Sequence, residues 1–178
     1  MLKFWKGGHI TKLPKGCVFV FGSNPEGRHG AGAAKAAMSF GAKLGQGRGM
    51  MGCTYGLVTK NLTSGFTEPN GRVYVREGMR SVTIGAIVSN IQELYEVARS
   101  RPDQKFLIAY TNEGVTNLNG YTSEEMYNMF VCMGNVPSNV YIHESYAKMA
   151  GVEGYVDGFV VEPMTIKKRF RKLFGLGS

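Results

Sequence analysis

Three observations predict an α/β domain of three layers, with a mostly parallel central sheet and helices on both faces. Cys17-Val-Phe-Val-Phe is an unbroken apolar, β-favouring run, the pattern of a strand buried on both faces. Ser81 to Arg101 carries Ile84, Ile87, Val88, Ile91, Leu94, Tyr95 and Ala98 at the helical period, which makes one long amphipathic helix. Strand-like and helix-like segments alternate along the chain, the order that right-handed crossovers turn into a parallel sheet.

The elements follow in order. Strand 17–21 runs into a polar, glycine-rich turn, Gly22 to Gly30, and then into Ala31-Gly-Ala-Ala-Lys-Ala-Ala-Met-Ser-Phe, a helix of small residues that ends near Gly41. Small side chains let such a helix sit close to a strand or a ligand. Gly41 to Gly52 reads as a second glycine-rich loop, and Tyr55-Gly-Leu-Val-Thr as a short strand closed by Lys60 and Asn61. Residues 61–80 read as loop, with Val73-Tyr-Val as an edge strand. After the long helix come the strand Lys105–Tyr110 and a polar loop from Thr111 to Gly120. Thr122-Ser-Glu-Glu125 has the spacing of a capping box and opens a helix to about Met133. Asn139-Val-Tyr-Ile-His reads as a further strand, and residues 144–162 carry no clear pattern.

The chain of 178 residues divides into a body, 1–162, and a basic amphipathic tail, 163–178. Its formal net charge is +8, but the tail alone holds Lys167, Lys168, Arg169, Arg171 and Lys172 without an acid. Ile166, Phe170, Leu173 and Phe174 recur there at helical spacing, with Pro163 placed to start a helix and Gly175 to end it. Such a tail suits nucleic acid, a membrane surface or an acidic partner, or docks on the body with its charges solvated. The three cysteines and three histidines are dispersed, so neither a disulfide framework nor a zinc spacing is present. Reduced thiols suit a cytoplasm. No apolar run reaches the roughly 18 residues of a membrane span, and the first residues lack the apolar core of a signal peptide. No cofactor is implied.

The chemistry gathers in the loops after Phe21, Thr59 and Tyr110, which a parallel sheet brings to one edge, where ligands of such sheets bind. Gly22-Ser-Asn-Pro-Glu-Gly-Arg-His-Gly-Ala-Gly-Ala-Ala joins a buried strand to a helix, and its glycines let main-chain amides approach a phosphate or diphosphate. Arg28 suits a phosphate and Asn24 a ribose hydroxyl. The Walker pattern fails, because Ala33 and Ala34 follow Gly32 where Lys and Ser or Thr are needed. The dinucleotide fingerprint fails at Lys35, where its third glycine belongs. His29 is a candidate general base, Glu113 a candidate acid or base, and Asn24 a candidate for orienting a water. Tyr55 and Tyr121 are candidates either for stacking on a base or for the core.

Val18-Phe-Val-Phe-Gly-Ser-Asn, Gly27-Arg-His-Gly-Ala-Gly-Ala-Ala-Lys, Gly45-Gln-Gly-Arg-Gly and Tyr55-Gly-Leu-Val-Thr-Lys together resemble an uncharacterised macro-domain-like family of bacteriophages and bacteria. Asn119-Gly-Tyr-Thr-Ser-Glu-Glu-Met, Met129-Phe, Pro137-Ser-Asn-Val and Glu144 also fit it, so the resemblance covers roughly residues 16–146. More distantly the first loop is similar to that of macro domains, which bind ADP-ribose. The resemblance implies a macro-like fold, Asn24 facing the distal ribose, Gly30 to Ala33 along the diphosphate, and Thr111 to Tyr121 as a second phosphate-wrapping loop. Relatives carry an Ile-Gly-Cys-Gly-like stretch where this chain has Asn112-Glu-Gly-Val-Thr-Asn, which puts Glu113 beside the expected phosphate.

The expected ligand is thus ADP-ribose or a related NAD-derived nucleotide, bound and in one version hydrolysed, in a host cytoplasm if the protein is phage-encoded. The expected ligand residues are Gly22, Ser23, Asn24, Gly27, Arg28, His29, Gly30, Ala31, Gly32, Gln46, Gly47, Thr59, Lys60, Asn112, Gly114, Asn119 and Gly120. The expected catalytic residues are Asn24, His29 and Glu113. The alternatives are a nucleic-acid-binding or virion-associated protein acting through its basic tail, and a silent interaction module that keeps the fold without a ligand.

Overall fold

The computed structural model describes residues 1–111 and 116–161. The expected tail helix and the candidate residues Asn112, Glu113 and Gly114 lie outside them. The strands are β1 (Lys3–Lys6), β2 (Cys17–Ser23), β3 (Gly49–Met51), β4 (Thr54–Val58), β5 (Phe66–Thr67), β6 (Val73–Tyr74), β7 (Lys105–Ile108), β8 (Val140–His143) and β9 (Phe159–Val160). The helices are α1 (Gly32–Met38), α2 (Ile84–Ser100) and α3 (Ser123–Val131), with a 3-10 turn at Glu144–Tyr146.

Seven strands form one sheet in the order β3-β4-β2-β7-β8-β1-β9, and every pair is parallel except β3 with β4. The α/β class is therefore the observed one. The apolar run at 17–21 forms the central strand β2, hydrogen-bonded on both sides to β4 and β7. Its alternation divides the core. Val18 and Val20 pack with Ile87, Ile91 and Leu94 of α2 and Met126 and Phe130 of α3. Cys17, Phe19 and Phe21 pack with Ala37 of α1, Trp5 and Leu107.

Four features depart from the sequence reading. The N-terminal residues form β1, which inserts between β8 and β9, with Phe4 and Trp5 buried in different core clusters. Trp5 Nε1 donates to Ile108 O at 2.7 Å, fixing β1 to the far end of β7. The second glycine loop contains β3, which turns back on β4 through Gly52 at φ 56°. The strand at Val73 joins β5 in a separate two-stranded sheet instead of the main one. Residues 144–161 hold the 3-10 turn and β9, both too short to leave a periodic signal.

Thr83 caps α2, its Oγ1 accepting from Ala86 N at 3.2 Å. At α3 the expected capping box forms, with Thr122 Oγ1 accepting from Glu125 N at 3.1 Å and Glu125 Oε1 accepting from Thr122 N at 3.3 Å. Thr122→Ala removes one of these acceptors and is expected to cost about 1 kcal/mol. The check is a lowered urea midpoint with an unchanged denaturant slope.

Candidate functional site

Strands β4, β2 and β7 lie side by side and parallel, with Phe21 opposite Gly56 and Val20 opposite Ile108. Their carboxyl ends therefore share one edge, and a cavity of about 750 Å³ opens there. That volume lies within the roughly 300–1,000 Å³ of small-molecule sites. Gly22, Ser23 and Asn24 reach it from β2, Thr59, Lys60 and Leu62 from β4, and Ala109 and Tyr110 from β7. Asn117, Leu118 and Asn119 close it from the loop before α3. Val20, Leu57, Ile108, Met126, Phe130 and Tyr146 give it an apolar lining, none of which the sequence reading placed in the site. Burial pushes the Tyr146 phenol up to about 12, so it stays protonated.

One wall is the loop after β2. Asn24 closes it on itself, since its Nδ2 donates to Arg28 O at 2.7 Å and its Oδ1 accepts from Arg28 N at 3.0 Å. Both polar atoms of this side chain are thus engaged by the main chain of its own loop. Beyond it the amides of Gly30, Ala31, Gly32, Ala33 and Ala34 line the cavity and donate to no protein acceptor among the described residues. A Cβ at Gly30 would meet nothing within 4 Å, and one at Gly32 would come no nearer than 3.6 Å to Leu118 Cδ1. At these two positions the missing side chain leaves open space.

Other glycines serve packing. Gly27 has φ 71°, and a Cβ there would lie 2.2 Å from Gln46 N. A Cβ at Gly47 would lie 1.8 Å from Asn24 O, and one at Gly56 would lie 2.2 Å from Gly47 O. The second glycine loop is therefore pressed main chain to main chain between the first loop and β4. Gly27, Gln46 and Gly47, expected as ligand residues, do not line the cavity, because they form this contact.

His29 also belongs to that contact. Its Nε2 lies 3.0 Å from Lys43 O and 2.9 Å from Gln46 O, and its ring meets Phe21 edge-on at 5.1 Å. Both partners are carbonyls, so Nε2 carries the hydrogen. The ring is buried and off the cavity, and its Nδ1 has no hydrogen-bond partner. In this placement His29, expected as a general base, braces one glycine loop on the other. Gly120 likewise lies off the cavity, where a Cβ would sit 2.7 Å from Met79 Cβ. Asn119 lines the cavity while its Oδ1 accepts from Tyr121 N at 2.9 Å. Tyr55 and Tyr121 are core residues; the Tyr121 hydroxyl donates to Val82 O at 2.5 Å.

At the cavity, Lys60 has no carboxylate within 4.0 Å among the described residues, and the Thr59 hydroxyl makes no protein hydrogen bond there. Arg28, with a side chain 73% exposed, pairs with Glu26 at 3.1 Å. Behind the wall, Arg48 holds the second glycine loop. It donates through Nε to Glu68 Oε2 at 2.8 Å and through Nη2 to Glu68 Oε1 at 2.7 Å. Its Nη1 reaches Asn90 Oδ1 at 2.8 Å and Glu93 Oε2 at 3.0 Å on α2. Tyr74 donates its hydroxyl to Glu68, and Arg72 pairs with Glu93.

Among the described residues no three His, Cys, Asp or Glu side chains gather to hold a metal, and no helix is long and apolar enough to cross a membrane. The fold and cavity define an α/β protein with a pocket at the carboxyl edge of its sheet. Comparison of the chain with family models, curated proteins and solved structures gives no match.

Proposed function

We propose that the cavity binds ADP-ribose or a related NAD-derived nucleotide. One observation carries the reading: the main-chain amides of five consecutive cavity residues, Gly30 to Ala34, have no protein acceptor among the described residues. Main-chain amides complement a diphosphate, and Lys60 adds positive charge at the cavity, with Arg28 there paired to Glu26. The apolar lining suits a nucleoside. The macro-like three-layer arrangement belongs to the same proposal, and the packing of α1 on one core cluster and of α2 and α3 on the other supports it. Binding is the activity proposed: Asn24 has both amide atoms engaged in its own loop and His29 lies behind the wall.

Gly30→Leu tests the reading, because a Cβ at this position meets no protein atom within 4 Å and a leucine extends into the space proposed for the diphosphate. Calorimetry with ADP-ribose is expected to give one-to-one binding for the unsubstituted protein and a loss of about tenfold or more for Gly30→Leu, with thermal unfolding unchanged. Absence of heat in the unsubstituted protein, or equal affinity in the variant, rejects it.

A further inference from the structure

A second surface lies at the amino ends of β7, β8, β1 and β9, away from the cavity. Register places Leu107 opposite Tyr141 and Tyr141 opposite Lys3, while Trp5 lies opposite Phe159. Lys105 is two residues before Leu107 and so shares that face. Tyr141 and Phe159 are half-buried, packing against the cluster of Trp5 and Leu107, with ring centroids 6.0 Å apart. Lys3 Nζ lies 5.6 Å from the Tyr141 ring and Lys105 Nζ 5.5 Å from the Phe159 ring. Neither of these lysines has a carboxylate within 4.0 Å among the described residues.

We propose that this face binds single-stranded nucleic acid, with bases stacking on Tyr141 and Phe159 and with Lys3 and Lys105 on the phosphates. Aromatic rings interleaved with lysines that have no carboxylate among the described residues match the two demands of a single strand, a π surface for each base and positive charge along the backbone. A polyanion is the occupant that charge complementarity selects, because these lysines have no acid to leave among the described residues. They reach the phosphates by exchanging a ring for a strand. A duplex keeps its bases stacked inside and offers these rings nothing. The site stands on the folded body and requires neither the cavity nor the basic residues after Pro163.

The probe is a labelled dT12, with a duplex of the same length as comparison, on the full chain. The single strand is expected to bind more tightly than the duplex. Phe159→Leu with Tyr141→Leu keeps apolar packing while removing both π faces, and is expected to weaken dT12 binding about tenfold or more. Lys3→Gln with Lys105→Gln, both exposed, is expected to reduce the slope of log affinity against log salt by about 1.4. In a chain lacking 163–178, the remaining affinity must still fall in the Leu variants. Absence of binding, equal affinity for duplex, equal affinity for polyglutamate, or tail-dependent binding indifferent to the ring and lysine substitutions would each overturn the proposal. Circular dichroism on every variant separates lost contact from lost fold.

Discussion

Glu68→Ala is expected to destabilise the protein by about 3 kcal/mol, the lower end of the cost of breaking a buried ion pair, since Glu93 still accepts from Arg48 Nη1. Glu68 is only 4% exposed, and Arg48, whose side chain is 20% exposed, loses a two-pronged partner in the variant. The Tyr74 hydroxyl loses its acceptor as well. On a domain of this size the loss corresponds to a fall in Tm on the order of 10 °C. The effect depends on pH with a definite sign. Burial by itself pushes the Glu68 carboxyl up, but hydrogen bonds from Arg48 and Tyr74 and the charges of Arg48 and Arg72 outweigh it and hold the group below its usual range. A carboxyl depressed on folding adds stability that is present above its unfolded value of about 4.3 and is lost as pH falls through the folded value. The gap between Glu68→Ala and the unsubstituted protein should therefore be full at neutral pH and shrink in acid. Thermal melts across the acid range test this, and a gap that widens in acid contradicts the assignment.

Gly47→Ala is the second large effect. Its methyl group would stand 1.8 Å from Asn24 O and 2.8 Å from Asn24 C, both main-chain atoms that no rotamer change moves aside. One of the two loops has to shift, at a cost of about 3 kcal/mol, and the shift carries the Asn24–Arg28 turn with it. Gly45→Ala is the matched control. Gly45, unlike Gly47, has positive φ, at 83°, yet a Cβ there meets nothing within 4 Å, so backbone strain alone, of about 1 kcal/mol, is expected. Urea unfolding of the pair separates collision from strain, and equal losses would show that the two loops do not press together.

These two sites also mark how far the amino-acid sequence could be read. Strand β2, the long helix α2 and the capping box of α3 were legible because each is encoded locally, by an apolar run, a helical stripe and a four-residue cap. The convergence of three loops on one edge followed from strand order and parallelism alone. Strand β1 was not legible, since its four residues acquire meaning only beside β8 and β9. Within the site, Gly27 and Gly30 are near neighbours in one glycine-rich turn, yet one packs on Gln46 and the other faces open space. Nothing local separates them. His29 looked like a reactive group in a polar loop, but its ring is engaged by carbonyls of Lys43 and Gln46. The apolar lining escaped notice because Leu57 and Ile108 read as ordinary strand interior, and Tyr146 lay in a stretch without a pattern.

The insertion of β1 between β8 and β9 bears on how the chain is made. A ribosome releases Phe4 and Trp5 well before the strands that flank them, which are among the last of the described elements to emerge. Until then two large apolar side chains have no permanent partner. Completion of the sheet waits on a long-range closure, a step that is slow in proportion to the sequence separation it spans. Until β8 and β9 are made, β1 is therefore a point of vulnerability to aggregation, and a chaperone that engages Phe4 and Trp5 would cover that interval.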